Sequence, residues 1–286
     1  MALRRTGVLL SLLAIAGCDL LKSKSPSEPS ALSDTVNYAA LGASDTMGYG
    51  GSAVCFPLVD CTSGTGYVQR TFQRFKAAGK TVTLSNLGFP GAVLSPDLQA
   101  AGNTIGLDIL RNLLTDESGY VPRSTTLVTV FIGGNDVNTA GSLIKAGRVG
   151  SDVPSYIQTQ IQNFGRDLGT MLSNIRERAP DARIVAMNLP NMGLIPYSNG
   201  RPLEERKALQ QISVGFSARI NALASNKVLV IDLMCDPNFY VPSIFSPDGF
   251  HPNDAGYAYL TDLVYAAAST GSAAAPKSSC GLMTSL

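Results

Sequence analysis

Residues 126–136 read TLVTVFIGGND. The first seven are apolar or β-branched without a break, as in a strand buried on both faces, and two glycines then end the run. Similar runs recur as VNYAAL (36–41), TVTLSNL (81–87), RIVAMNL (183–189) and VLVIDLM (228–234). Between and after them lie helical patterns near 65–79, 97–116, 154–179, 203–225 and 253–268. Strands alternating with helices build a parallel sheet, so the pattern predicts an α/β fold: a five-stranded parallel sheet with helices on both faces. No internal repeat is visible, and the Ala/Ser/Gly-rich tail from Ser269 carries little signal besides Cys280.

Composition narrows the function. The chain has 286 residues, 45% apolar and 15% charged, which fits one large domain with a substantial core. Lys plus Arg number 22 against 21 Asp plus Glu, so no basic field exists to hold nucleic acid. There is a single histidine. That count excludes a multi-histidine metal site, and any imidazole chemistry must fall to His251.

The first 18 residues, MALRRTGVLLSLLAIAGC, join an Arg pair to a short apolar run and small residues, as a secretory signal does. The run is too short to span a bilayer, which needs roughly 20 apolar residues. Ile15-Ala16-Gly17-Cys18 resembles a bacterial lipobox, which implies lipidation of Cys18, and Asp19 resembles an inner-membrane retention signal. Residues 19–33, DLLKSKSPSEPSALS, read as a flexible Ser/Pro linker, with the folded domain at 34–286. The expected location is the cell envelope, with the membrane reached through the N-terminal lipid. Four cysteines remain, and in an exported chain they are expected to form two disulfides with three possible connectivities. We favour Cys55 with Cys61, closing a short loop, and Cys235 with Cys280, pinning the tail; zinc is the competing reading.

In an open parallel sheet, functional loops gather at the carboxyl ends of the strands. There the sequence places GASDT (42–46), NLGFPGA (86–92), GGND (133–136) and, beyond the fifth strand, SPDGFHPN (246–253). A serine, close-approach glycines, an amide and an Asp/His pair thus fall on one edge. A serine hydroxyl needs an imidazole to take its proton, and a carboxylate on the other ring nitrogen fixes the tautomer. Asp248 lies three residues before His251 and can reach the ring through one tight turn.

These blocks, in this order, resemble the SGNH (GDSL-type) serine hydrolases, esterases and lipases of a flavodoxin-like three-layer fold. The resemblance spans about Val36 to Ala268. It implies Ser44 as nucleophile, His251 and Asp248 as its partners, and an oxyanion hole from the Ser44 and Gly91 amides and the Asn135 side chain. Ala43 departs from the family pattern, which has Asp before the serine. The implied reaction is hydrolysis of a carboxylic ester, acyl or lipid-like, through an acyl-enzyme, with no metal or organic cofactor.

Each residue also has a plainer reading. Ser44 could cap a helix, Gly88 and Gly91 could serve only as turn residues, Asp136 could cap the next segment, Asp248 could belong to an ordinary turn, and His251 could start the last helix. The apolar loops 192–197 and 239–245 could line an acyl slot or simply pack over the sheet. The Gly-rich stretch 48–66 is expected to form a stapled rim beside Ser44. Two rival functions stay open: a carbohydrate O-acetyl esterase or thioesterase with the same machinery, and a non-catalytic envelope lipoprotein that binds lipid or glycan.

Overall fold

Residues 32–56, 61 and 63–286 are described by a computed structural model; the leader, Cys18 and residues 19–31 of the linker lie outside them. Five strands form one parallel sheet: β1 (Thr35–Gly42), β2 (Thr81–Asn86), β3 (Leu127–Phe131), β4 (Arg183–Met187) and β5 (Val228–Ile231). Their spatial order is β2-β1-β3-β4-β5, the flavodoxin-like order. The helices are α1 (Ser44–Met47), α2 (Tyr67–Ala77), α3 (Pro96–Asn103), α4 (Leu113–Asp116), α5 (Gly134–Lys145), α6 (Val153–Arg178), α7 (Leu203–Asn221) and α8 (Asp254–Thr270).

Parallel crossovers are right-handed, so the step from β1 out to β2 and the steps from β3 to β5 put their helices on opposite faces. Accordingly α2 packs with α8, while α5 and α6 pack with α7. Both faces of the central strands are covered, and Ala39, Ala40, Leu127, Val128 and Val185 are fully buried. Order reverses between β1 and β3, and their carboxyl ends open the crevice in which such folds hold ligands. The amino end of β1 lies on the far edge.

Three expectations need correction. The helical stretch 97–116 is two short helices, α3 and α4, separated by a loop with Gly106 and Asp108 both at positive φ. Conversely, 134–145 is a helix that the sequence reading did not assign, burying the small face formed by Val137, Ala140 and Leu143. The run at 81–87 is an edge strand with Thr81 and Thr83 exposed, rather than a strand buried on both faces. The favoured cysteine pairs are both present, Cys55–Cys61 and Cys235–Cys280, with Cα atoms 5.6 and 5.9 Å apart.

Candidate active site

β1 ends at Gly42 and the chain turns directly into α1, whose first residue is Ser44. Ser44 does not act as a cap: Ala43 occupies that position, and no side chain caps α1. Among the described residues nothing accepts from the Ser44 amide, the first of the helix, as at an uncapped N-terminus. The Ser44 side chain instead meets His251, with Oγ 2.7 Å from Nε2 across 207 residues of sequence.

His251 is held from several sides. Its Nδ1 lies 2.6 Å from Asp248 Oδ2, and with that proton on Nδ1 the Nε2 lone pair is left to accept from Ser44. The turn Ser246-Pro247-Asp248-Gly249 is closed by the Gly249 amide donating to the Ser246 carbonyl at 2.9 Å, with Gly249 at φ +70°. Asp248 Oδ1 accepts from Ser246 Oγ and from the amides of Phe250 and His251 at 2.7, 2.8 and 2.9 Å. Burial works against ionising Asp248, but these bonds and the imidazole outweigh it and bring its pKa down to about 2. The carboxylate is thus charged across the neutral range and stabilises an imidazolium. Tyr49 and Phe250 set ring edges against the imidazole at 4.7 and 4.8 Å between centroids.

The glycine block forms a tight turn. Phe89-Pro90-Gly91-Ala92 is closed by the Ala92 amide donating to the Phe89 carbonyl at 3.2 Å, with Gly91 at φ +74°. Pro followed by a positive-φ Gly is the signature of a type II turn. Among the described residues nothing accepts from the Gly91 amide. Gly88 is more than a turn residue, because a side chain there would stand 1.7 Å from Thr46 Oγ1; its absence lets this loop lie against α1. Asn135, in the first turn of α5, donates from Nδ2 to the Ala92 carbonyl at 2.9 Å. The three predicted donors, the Ser44 and Gly91 amides and the Asn135 side chain, thus belong to three adjacent strand ends.

Beside them lies a narrow cavity of about 30 Å³, lined by Asn135, Leu189, Met192, Ile195, Phe239 and Phe250 among others. The two apolar loops contribute to it, yet Met192, Ile195 and Phe239 are almost fully buried. These loops are therefore chiefly packing, with a small recess between them. The described part of the 48–66 stretch does adjoin the site: Gly50 packs against His251 Cβ, and the Cys55 amide donates to the Met47 carbonyl at 2.8 Å.

Sequence reasoning missed two buried carboxyls here. Glu117 Oε2 accepts from the Gly42 amide at 3.1 Å, and the Phe89 amide also points to this group. Asp136, for which capping the next segment was the plainer reading, accepts at Oδ1 from the Leu94 amide at 2.8 Å. Burial raises both pKa values against these bonds, Glu117 well above the carboxylate range and Asp136 to about 7. Among the described residues no cluster of His, Cys, Asp and Glu could hold a metal ion.

A family model described as GDSL-like Lipase/Acylhydrolase matches residues 40–259. Among curated proteins none matches the sequence. A solved lipase from a goat rumen metagenome is 21% identical, with a TM-score of 0.57 over 82% of this chain and 98% of its own. An acetyl xylan esterase from Geobacillus stearothermophilus is 17% identical, with a TM-score of 0.50 over 79% and 91%. At these identities the likeness is one of fold, and it agrees with the strand order described above. With the family match spanning most of the chain, including all four motif blocks, the protein belongs to the GDSL-like lipase/acylhydrolase family and is an ester hydrolase.

Proposed function

We propose that this protein is an exported, lipid-anchored serine esterase that cleaves carboxylic esters through an acyl-enzyme on Ser44. The observation that carries the reading is the unbroken line from Ser44 Oγ through His251 to Asp248, at 2.7 and 2.6 Å. His251 takes the hydroxyl proton as Ser44 attacks the ester carbonyl, then returns it to the leaving alcohol. The Ser44 and Gly91 amides and the Asn135 amide nitrogen receive the oxyanion. Water, deprotonated by the same imidazole, releases the acid and restores Ser44. A fluorophosphonate probe tests this: wild type should be labelled on Ser44, Ser44→Ala should not, and His251→Ala should label far more slowly. An unlabelled, folded wild type would overturn the reading.

The size of the recess favours a short acyl group. The recess beside Asn135 is narrow, about 30 Å³, and lined mostly by apolar side chains, which suits a small apolar group such as an acetyl methyl. Within this mechanism the carbohydrate O-acetyl esterase is accordingly the reading of substrate class that we favour over a long-chain lipase. Esters of graded acyl length check it: kcat/KM should fall beyond two to four carbons, and a rise toward long chains contradicts it.

Anchoring rests on the lipobox-like Ile15–Cys18 and the apolar run before it. Cys18→Ser should abolish incorporation of labelled fatty acid and release the protein from membranes; unchanged membrane retention and labelling would refute the anchor.

A further inference from the structure

The 88–94 segment is fastened at three points. At its start, the Phe89 amide donates to the Gly42 carbonyl at 3.2 Å and faces Glu117, which also takes the Gly42 amide. In its middle, the Ala92 carbonyl is held by Asn135. At its end, the Leu94 amide is held by Asp136. Gly91 lies between these fastenings, while Gly42 stands two residues before Ser44. Glu117 and Asp136 are 2% and 1% exposed, and among the described residues their second oxygens, Oε1 and Oδ2, have no partner. Two carboxyls buried this deeply and each half-used are expensive to keep for stability alone, because apolar groups of similar shape are often as good or better.

We propose that Glu117 and Asp136 are positioning residues for ester hydrolysis: from opposite ends they hold the Gly91 turn in register with the Ser44 helix start, setting the spacing of the two backbone donors. The inference rests on the serine esterase reading above. Neither carboxyl touches substrate. Glu117 ties the turn to β1 and α1, Asp136 ties it to α5, and the oxyanion forms where these elements meet. Burial disfavours a charge on Glu117, and its part in this bracing is that of a hydrogen-bond acceptor. The charged groups facing Glu117 are Asp116 and Arg111, and Asp167 faces Asp136.

The test is steady-state hydrolysis of p-nitrophenyl acetate by Glu117→Leu, Glu117→Gln, Asp136→Ala and Asp136→Asn, each checked for folding by circular dichroism. A donor misplaced by about an ångström costs about 100-fold, and loss confined to the transition state lowers kcat with KM nearly unchanged. We expect kcat to fall about 10- to 100-fold in the Leu and Ala variants, with KM within about threefold. The Gln and Asn variants, which keep the accepting oxygen, should recover to within about threefold of wild type. Hydrogen exchange at residues 88–94 should quicken in the Leu and Ala variants only. If Glu117→Leu does not fold, Glu117→Asp replaces it, with kcat expected between those of wild type and Asp136→Ala. Folded Leu and Ala variants with unchanged kcat overturn the proposal, as do Gln and Asn variants no better than these. Undiminished hydrolysis by Ser44→Ala is a separate failure, that of the serine reading, and removes the basis of the proposal.

Discussion

The Ala92 carbonyl takes one hydrogen of the Asn135 side-chain amide at 2.9 Å, which turns the other hydrogen away from the glycine loop. A single interaction thus orients a donor and braces the loop that carries the next one. Asn135→Ala should lower kcat on p-nitrophenyl acetate about 10²- to 10³-fold, the usual cost of one oxyanion donor. Asn135→Asp, which cannot donate to Ala92, should be no better. Activity within twofold of wild type in either variant removes Asn135 from the oxyanion site.

In the proposed mechanism Ser44 and His251 act on one proton, so their losses should not add. Ser44→Ala, His251→Ala and the double variant should all lose at least about 10⁴-fold in kcat, the double falling no further than the singles. No second histidine exists to substitute. Asp248→Asn should lose about 10⁴-fold with KM little changed, because the imidazole is left in the wrong tautomer. Additive losses in the double variant contradict a shared mechanism.

The two aspartates near the site should give stability opposite pH dependences. Asp136 has a folded pKa of about 7 against about 3.9 unfolded, so between these values the folded state binds the extra proton. Its contribution is therefore best below about pH 4 and declines as pH rises to about 7. Asp248, lowered to about 2, contributes fully above about pH 4 and is lost as pH falls toward 2, an effect reduced by its partial exposure. In thermal melts Asp136→Asn should match wild type near pH 4 and exceed it at pH 8. An Asp136→Asn variant with the wild-type slope of Tm between pH 4 and 8 would rule out this linkage.

The two disulfides should differ in what they stabilise. Cys235–Cys280 closes a loop with a sequence separation of 45, against 6 for Cys55–Cys61. In the loop-entropy account these are worth about 4 and about 2 kcal/mol. The tail that the longer one pins also returns to the site loops, where the Leu282 carbonyl accepts from Asn191 Nδ2 at 2.7 Å. Replacing Cys235 and Cys280 by serine should lower Tm more than replacing Cys55 and Cys61. The reverse order of Tm would contradict this.

The parallel sheet was legible because buried strands are written as unbroken apolar runs, and the four motif blocks because each follows such a run. Elsewhere the signals fail for identifiable reasons. α5 buries only a narrow face, and Asn138, Gly141 and Ser142 dilute its periodicity. Residues 97–116 keep an apolar rhythm across a break that only the backbone reveals, at Gly106 and Asp108. Glu117 was invisible because acidic residues are almost always solvated, and nothing in ESGY announces that its first residue turns inward beneath Gly42. Ser44, Asp248 and His251 could be named from motif order, whereas Ser246 and Tyr49 emerge as neighbours of that site only once the loops are folded.

Strand β1 gives the molecule a polarity. The chain enters the sheet at Thr35 on one edge and delivers Ser44 at the other, about 26 Å farther along for a strand of eight residues. Anything that tethers the chain upstream pulls on the pole opposite the edge that carries Ser44. A lipid on Cys18 would then act as a mooring, leaving the working end outward, toward esters carried by solvent, by polymers or by a facing surface.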